Sequence, residues 1–418
     1  MFPFSRSSAE SSHPSETGKS LSEAFLDSSS RTRDTLPEQY RTQFDELRKN
    51  IFAFCKQFDI PVSTLSNKEA FGAELASKKI PPARIAEAVL LFQRLEHLVT
   101  RGELLKEIHP EYLEEAERLY HLREQYVAQV ELLERVGILQ DGAITGIDGK
   151  KYSIPTLEQI AEHLCSPERE RLLKTKRDQG FTKLLLVPFG MSLDALIDTF
   201  RQFLLFYKQT HEDFDLDTDN PLQIWRAGYL RADIGDSPML VYNPKSFDKD
   251  HHEGQTKLEV LEEQAVDQFS IPGWKVHLLQ APYDDTLGFR GIPRPGQGHT
   301  QGGQVPRPDL EAYQTPEEYL SLLQQAQDSP DSPYHSESGL TPEDWILAFM
   351  THLAETGESL DDYGNGIDSV TCLIGVFCPS YIDALTAYWA RSNRRVVLGS
   401  SIPDRRNRDI GARSSVMI

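Results

Sequence analysis

Lys183-Leu184-Leu185-Leu186-Val187-Pro188 is a short apolar run closed by a proline, and it reads as a buried strand. Residues 194–208 follow as an apolar-rich helix. Further short strands are expected at Leu240-Val241-Tyr242 and Trp274-Lys275-Val276-His277-Leu278-Leu279. Next come a Gly- and Pro-rich loop (282–309), a helix (316–327), a polar linker (327–338) and a strong helix (341–356). In that last helix Thr341 is the cap and Pro342 takes the first helical position, where its missing N–H costs nothing. Short strands at 369–377, 387–398 and 412–418 follow. Long helices alternating with many short strands, in no βαβ rhythm, give an α+β fold rather than a doubly wound sheet.

Toward the N-terminus the period changes. Residues 1–35 are Ser-rich and poor in large apolar groups, so a disordered arm is expected there. Tyr40, Phe44, Leu47, Ile51 and Phe54 recur at three- and four-residue steps, the signature of one helical stripe. A second helix is expected from Pro81-Pro82 to about Leu105, and a third from Pro110 to a stop at Gly137. Residues 143–154 read as a small hairpin turning at Asp148-Gly149. Thr156 with Gln159 forms a capping box, and a charged helix over 166–180 ends at Gly180. The expected organisation is an arm (1–35), a helical module (36–180) and an α+β domain (181–418). The helical module is a candidate for homo-oligomerisation.

The chain has 418 residues, 39% hydrophobic and 26% charged, enough apolar material for a core. No run approaches the roughly 18–20 apolar residues of a membrane span. No secretory signal is visible in Met1-Phe2-Pro3-Phe4 and the Ser-rich residues after it, so a cytoplasmic location is expected. A net charge of −20 disfavours nucleic-acid or anionic-membrane binding by the whole molecule. The charge is uneven: from residue 379 onward seven Arg (391, 394, 395, 405, 406, 408 and 413) face only Asp383, Asp404 and Asp409, a local excess of +4.

Several motifs have ordinary readings. The run Asp213 to Asp219 lacks the glycine and the glutamate of a calcium loop, because Thr218 and Ile224 stand there. His251-His252-Glu253 lacks a third ligand at zinc spacing. Gly296-Gln-Gly298-His-Thr-Gln-Gly302-Gly303 is followed by neither a Lys-Ser/Thr pair nor a helix, so it reads as a structural loop. Asp361-Asp362, and His352 with Glu355, are weak acid–base pairs. Cys372 and Cys378, six residues apart on one strand, read as buried thiols. No metal and no cofactor are expected.

The last third adds a resemblance. Gly339-Leu-Thr341-Pro-Glu-Asp-Trp345, Asp361-Asp362-Tyr363, Cys372-Leu-Ile-Gly375-Val-Phe377, Tyr388-Trp389, the Arg-rich stretch 391–408 and Gly411-Ala-Arg413-Ser-Ser-Val416 resemble the variable proteins of diversity-generating retroelements. Lys183 to Gly190, Gly273-Trp274 and Gly302-Gly303 resemble bacterial proteins with the same ending. Ser415 and Met417 depart from the family's usual closing pattern, and the first 180 residues carry no such match. The resemblance implies a C-type-lectin-like domain, related to that of the formylglycine-generating enzyme, that presents a diversified surface to a protein or carbohydrate ligand. The implied ligand-binding residues lie in 381–408: Tyr381, Asp383, Leu385, Tyr388, Ser392, Asn393, Arg394, Arg395, Ser400, Ser401, Asp404, Arg405, Arg406, Asn407 and Arg408. Trp389, Gly399, Gly411 and Arg413 are implied frame residues. The spacing of Cys372 and Cys378 does not match the related enzyme's copper-binding pair, so no catalysis is expected. Two rival readings are nucleic-acid contact through the Arg and aromatic cluster, and an enzyme site around Asp361 and Asp362.

Overall fold

The computed structural model describes residues 38–62, 71, 74–75, 77–78, 80, 84, and 110–418 except 225–228, 236–237, 268, 285 and 365–368. The arm and nearly all of the helix expected over 81–105 lie outside the described residues. The chain forms two compact units, Met1–His109 and Pro110–Ile418. In the first, helix α1 (Glu38–Gln57) buries Phe44, Leu47, Ile51 and Phe54 of the expected stripe, together with Cys55.

The second unit is mixed α+β. It opens with α2 (Pro110–Tyr120) and α3 (Leu122–Arg135), where one helix was expected. His121 divides them by taking a left-handed backbone, φ 50°. The hairpin β1 (Ala143–Thr145) and β2 (Lys151–Ser153) turns at Gly149, φ +76°, a conformation glycine adopts at no steric cost. Helix α4 (Leu157–Cys165) carries the expected Thr156–Gln159 capping box, and α5 (Glu170–Asp178) follows. The remaining elements are β3 (Phe181–Val187), α6 (Leu193–Thr210), β4 (Leu222–Ile224), β5 (Val241–Tyr242), α7 (Lys257–Gln264), β6 (Lys275–Gln280), β7 (Thr300–Gln301) and β8 (Arg307–Pro308). Then come α8 (Pro316–Gln327), β9 (Ser338–Gly339), α9 (Pro342–Thr356), β10 (Asp362–Tyr363), β11 (Val370–Cys378), β12 (Asp383–Ala390), β13 (Arg395–Ser401), β14 (Ile410–Ala412) and β15 (Ser414–Met417). Among the described residues no helix is long and apolar enough to cross a membrane.

One sheet runs β3-β6-β15-β9, and another runs β14-β11-β12-β13-β4, with β10 on β12 and β5 on β11. Helix α9 packs on β3, β11 and β12, and α6 packs on α9. Phe200 meets Trp345 and Phe349 edge-on at 6.3 and 5.4 Å between ring centres. α9 is buried nearly all round and carries Glu343 and Asp344 into the interior at its first turn.

The expected boundary at 180/181 falls inside this unit. β3 is a sheet edge, and an edge exposes unpaired backbone groups. Gln125 and Gln129, one turn apart on α3, fill them. Gln125 Oε1 accepts from Leu184 N (2.8 Å), while Gln129 donates to Leu184 O (2.7 Å) and accepts from Leu186 N (2.8 Å). The polar stretch 327–338 is no linker either. Glu337, 1% exposed, takes bidentate hydrogen bonds from Arg307 (2.8 Å each) and one from Lys176 (2.6 Å).

Candidate functional site

The run expected as one strand over 387–398 is two strands, β12 and β13, joined by a 3₁₀ turn at Arg391–Asn393 and a left-handed Arg394. The pair is antiparallel, with Thr386 opposite Gly399, Tyr388 opposite Val397 and Leu385 opposite Ser400. Side chains alternate across a strand. Leu385, Ala387, Trp389, Val396 and Leu398 therefore enter the core. Thr386, Tyr388, Val397 and Gly399 line an outer cleft of about 400 Å³, completed by Tyr363, Val370, Ser400, Asn407, Asp409 and Ile410. Tyr363 and Tyr388 stand edge-to-face at its mouth, ring centres 5.5 Å apart. The floor is open because residue 399 has no side chain: a Cβ there would lie 2.9 Å from Thr386 Oγ1.

The fifteen expected ligand-binding residues divide by this geometry. Tyr388, Ser400 and Asn407 line the cleft. Tyr381, Ser392, Asn393, Arg394, Asp404, Arg405, Arg406 and Arg408 are exposed, and Arg395 and Ser401 are half-buried. Leu385 and Asp383 are corrections, being 2% and 6% exposed. Leu385 lies on the inward pleat, and Asp383 accepts a hydrogen bond from Ser400 Oγ at 3.1 Å. Thr386, Val397, Tyr363, Val370, Asp409 and Ile410 line the cleft and were not among the expected ligand-binding residues. The alternation of Thr386 with Tyr388 was the available signal for the first of them.

Ion pairs tie part of the Arg-rich tail to other segments. Arg391 pairs with Asp362, Arg406 with Glu318, Arg394 with Asp215 (3.4 Å), and Asp409 with Arg294 (3.1 Å). Trp389 is 5% exposed and packs on Phe214, ring centres 5.2 Å apart. The buried Arg413 guanidinium, whose Nε makes no hydrogen bond among the described residues, has a carboxylate and a carbonyl partner. It donates to Asp361 at 2.5 Å and to the carbonyl of Arg290. Asp361, 1% exposed, also accepts from Trp345 Nε1 (2.7 Å) and from the Thr371 hydroxyl. The Asp361-Asp362 pair is thus occupied: one carboxylate joins Arg413, Trp345 and Thr371, and the other holds Arg391.

The remaining motifs also have internal partners. Gly296 N and Gly298 N donate to Glu311 (2.7 and 2.8 Å), His299 N to Asp309 (3.0 Å) and Gly303 N to Asp178 (2.6 Å). Four N–H groups of this glycine-rich loop are thus already bonded to carboxylates. His352 Nδ1 accepts from Phe289 N (2.9 Å) and Glu355 from Gly288 N (3.0 Å). Burial, with the Arg413 charge, pushes the His352 pKa down to about 4, and burial raises that of Glu355. Cys372 and Cys378 are buried free thiols with raised pKa values, chiefly from desolvation. Among the described residues no group of His, Cys, Asp and Glu is placed to hold a metal ion.

A buried charged cluster escaped the sequence reading. Lys257 on α7 donates to Asp233 (2.5 Å), Glu343 (2.7 Å) and the Met191 carbonyl (2.8 Å), beneath the rings of Phe189 and Tyr242. Beside it His277 lies 3.0 Å from Ser415 Oγ and 3.3 Å from Asp344, all three buried. Burial opposes the Asp344 charge, but His277 and Lys275 outweigh it and hold its pKa at about 2.

Comparison with protein-family models, curated proteins and solved structures finds no match to this chain.

Proposed function

We propose that the protein is a non-enzymatic binding protein that displays the outer face of the β12–β13 hairpin, on a C-type-lectin-like frame, to a protein or carbohydrate ligand. The observation that supports this reading is the cleft on that face. Its floor is apolar and backbone (Val370, Val397, Gly399), and its walls carry Tyr363, Tyr388, Thr386 and Asn407. Tyrosine supplies large contact area with few rotatable bonds and a hydroxyl for hydrogen bonding, and Asn and Thr add adaptable polar contacts. The inward pleat, with the buried outward residues Thr386, Val397 and Gly399, fixes the frame, while Tyr388, the 3₁₀ turn and residues 404–408 vary at little cost in stability. Variable proteins of diversity-generating retroelements, which the last third of the sequence resembles, divide frame from display in this way.

The test is a pair of glycan and peptide arrays probed with the wild-type chain and with Tyr388→Ala and Gly399→Ala. A ligand that binds wild type and is lost from both variants supports the reading; one that binds all three equally refutes the cleft as its site. A reverse-transcriptase gene beside a near-copy of the codons for 381–408, differing at adenines, tests the diversification itself.

A further inference from the structure

We propose that Lys257 and Asp233 become joined by an intramolecular amide bond, with Glu343 as the proton carrier, so that the mature chain holds a covalent link between α7 and the loop before β5. Lys257 Nζ sits 2.5 Å from Asp233 Oδ2 and 2.7 Å from Glu343 Oε1. All three side chains are wholly shielded from solvent. Phe189 and Tyr242 close over the nitrogen, ring centres 5.3 and 5.6 Å away. Water, which would hydrolyse an activated carboxyl and favour the separated ions, is kept out. Holding an amine against a carboxyl in a fixed pose replaces a bimolecular encounter by a unimolecular one, an advantage equivalent to a very high local concentration.

The hydrogen-bonding pattern shows which atoms stay and which leaves. Asp233 Oδ2 accepts from Leu193 N at 2.8 Å, while Asp233 Oδ1 is buried without a hydrogen-bond partner. Glu343 Oε1 accepts from Tyr242 O–H at 2.7 Å, while Glu343 Oε2 is likewise buried and unpartnered. Buried polar atoms are nearly always bonded, so two orphaned carboxylate oxygens around one lysine call for an explanation. Condensation removes one of them. Oδ2 remains as the amide oxygen, still held by Leu193 N–H, and Oδ1 departs.

The chemistry balances without a co-reactant. The resting state is the ion pair: burial opposes the Lys257 charge, but Glu343 and Asp233 outweigh it and raise its pKa. One Nζ proton passes to Glu343 and on to the Asp233 carboxyl. The neutral amine adds to Asp233 Cγ, forming the N–C bond. Glu343 takes a second proton from nitrogen and returns it to Oδ1, and the Cγ–Oδ1 bond breaks to release water. Ammonium and carboxylate have become an amide and one water molecule, nothing is oxidised or reduced, and Glu343 is regenerated. The step neutralises Lys257 and Asp233 and leaves the Glu343 carboxylate to the Tyr242 hydroxyl and the nearby Lys275 charge.

The experiment is intact-mass spectrometry of the purified full chain followed by peptide mapping. The expected wild-type mass is one water below the sequence mass, with a single branched peptide joining the segments that contain Asp233 and Lys257. Glu343→Gln is expected to keep its full sequence mass and give the two peptides separately. Wild-type protein at full sequence mass with unlinked peptides overturns the proposal, and so does a dehydrated chain lacking that branched peptide. The wild-type measurement decides the matter even where Glu343→Gln does not fold.

Discussion

Arg413→Ala tests the frame at its most connected point. In the wild-type chain the Asp361 carboxylate accepts from Arg413, Trp345 and Thr371, and it is 1% exposed. Truncating Arg413 leaves a buried charge with two neutral donors and deprives the Arg290 carbonyl of its donor. Removing one partner of a buried ion pair costs about 3–5 kcal/mol, most of it from the uncompensated charge. The residue left behind can be neutralised in turn. Asp361 has φ 53°, a left-handed conformation that Asn accepts readily, so Asp361→Asn removes the charge without straining the backbone. The expected ordering in denaturant unfolding, followed by tryptophan fluorescence at unchanged slope, is wild type above the double variant and the double variant above Arg413→Ala. The recovery should be at least about 1 kcal/mol, the low end of the cost of an unsatisfied buried group. Arg413→Ala within about 1 kcal/mol of wild type, or a double variant no better than the single, would refute the account of Asp361 as a charge held by its partners.

The pleat predicts opposite outcomes for neighbours: Leu385→Ala should cost about 2–5 kcal/mol of stability, while Tyr388→Ala should leave the melt nearly unchanged and abolish binding at the cleft. Trp389→Ala should cost about 3–5 kcal/mol through lost burial and a cavity. Replacing Arg394, Arg405, Arg406 and Arg408 together by Ser should change unfolding free energy by no more than about 0.5 kcal/mol each, since exposed ion pairs contribute little; a collapse of this variant beside an intact Trp389→Ala would reverse the assignment of frame and display. His352, whose pKa is lowered to about 4 in the fold, binds its proton less readily than in the unfolded chain, so its contribution is complete above about pH 6.5 and is lost as pH falls from there to about 4. Unfolding curves across that window should flatten in His352→Gln, and an unchanged slope would show that His352 is not the group responsible.

The sequence made some of this plain for stated reasons. The helix Pro342–Thr356 was readable because Thr341, Pro342 and a long apolar run agree, and the structure adds Asp344 as the third member of its capping box. The division of 387–398 was hidden because Arg391-Ser392-Asn393-Arg394 resembles a charged surface stretch. Its turn depends on Arg394 accepting φ 53°, which no glycine announces. The same ambiguity hid the break at His121. Beside the apolar core that α2–α5 share with β3, Gln125 and Gln129 fill its edge; they are ordinary surface residues by type, and their role exists only because a strand edge lies opposite. The buried cluster at Lys257 was invisible because Asp233, Lys257 and Glu343 lie far apart along the chain, and charge is expected outside a core. The cleft was half visible: its segment was marked, but inward and outward residues were taken together until the register separated them.

The ion networks also order events in time. Glu337, Asp361 and His277 are made before Arg413, Ser414 and Ser415, the residues that bond to them, and Arg413 and Asp361 are 52 positions apart. Glu337 already has Arg307 and Lys176 when Ser414 arrives, but Asp361 waits for Arg413, so a compact intermediate that buried Asp361 early would carry an unpaired charge. Arg413 is thus the late partner of Asp361, and a chain that has not yet placed it gains little from burying that carboxylate.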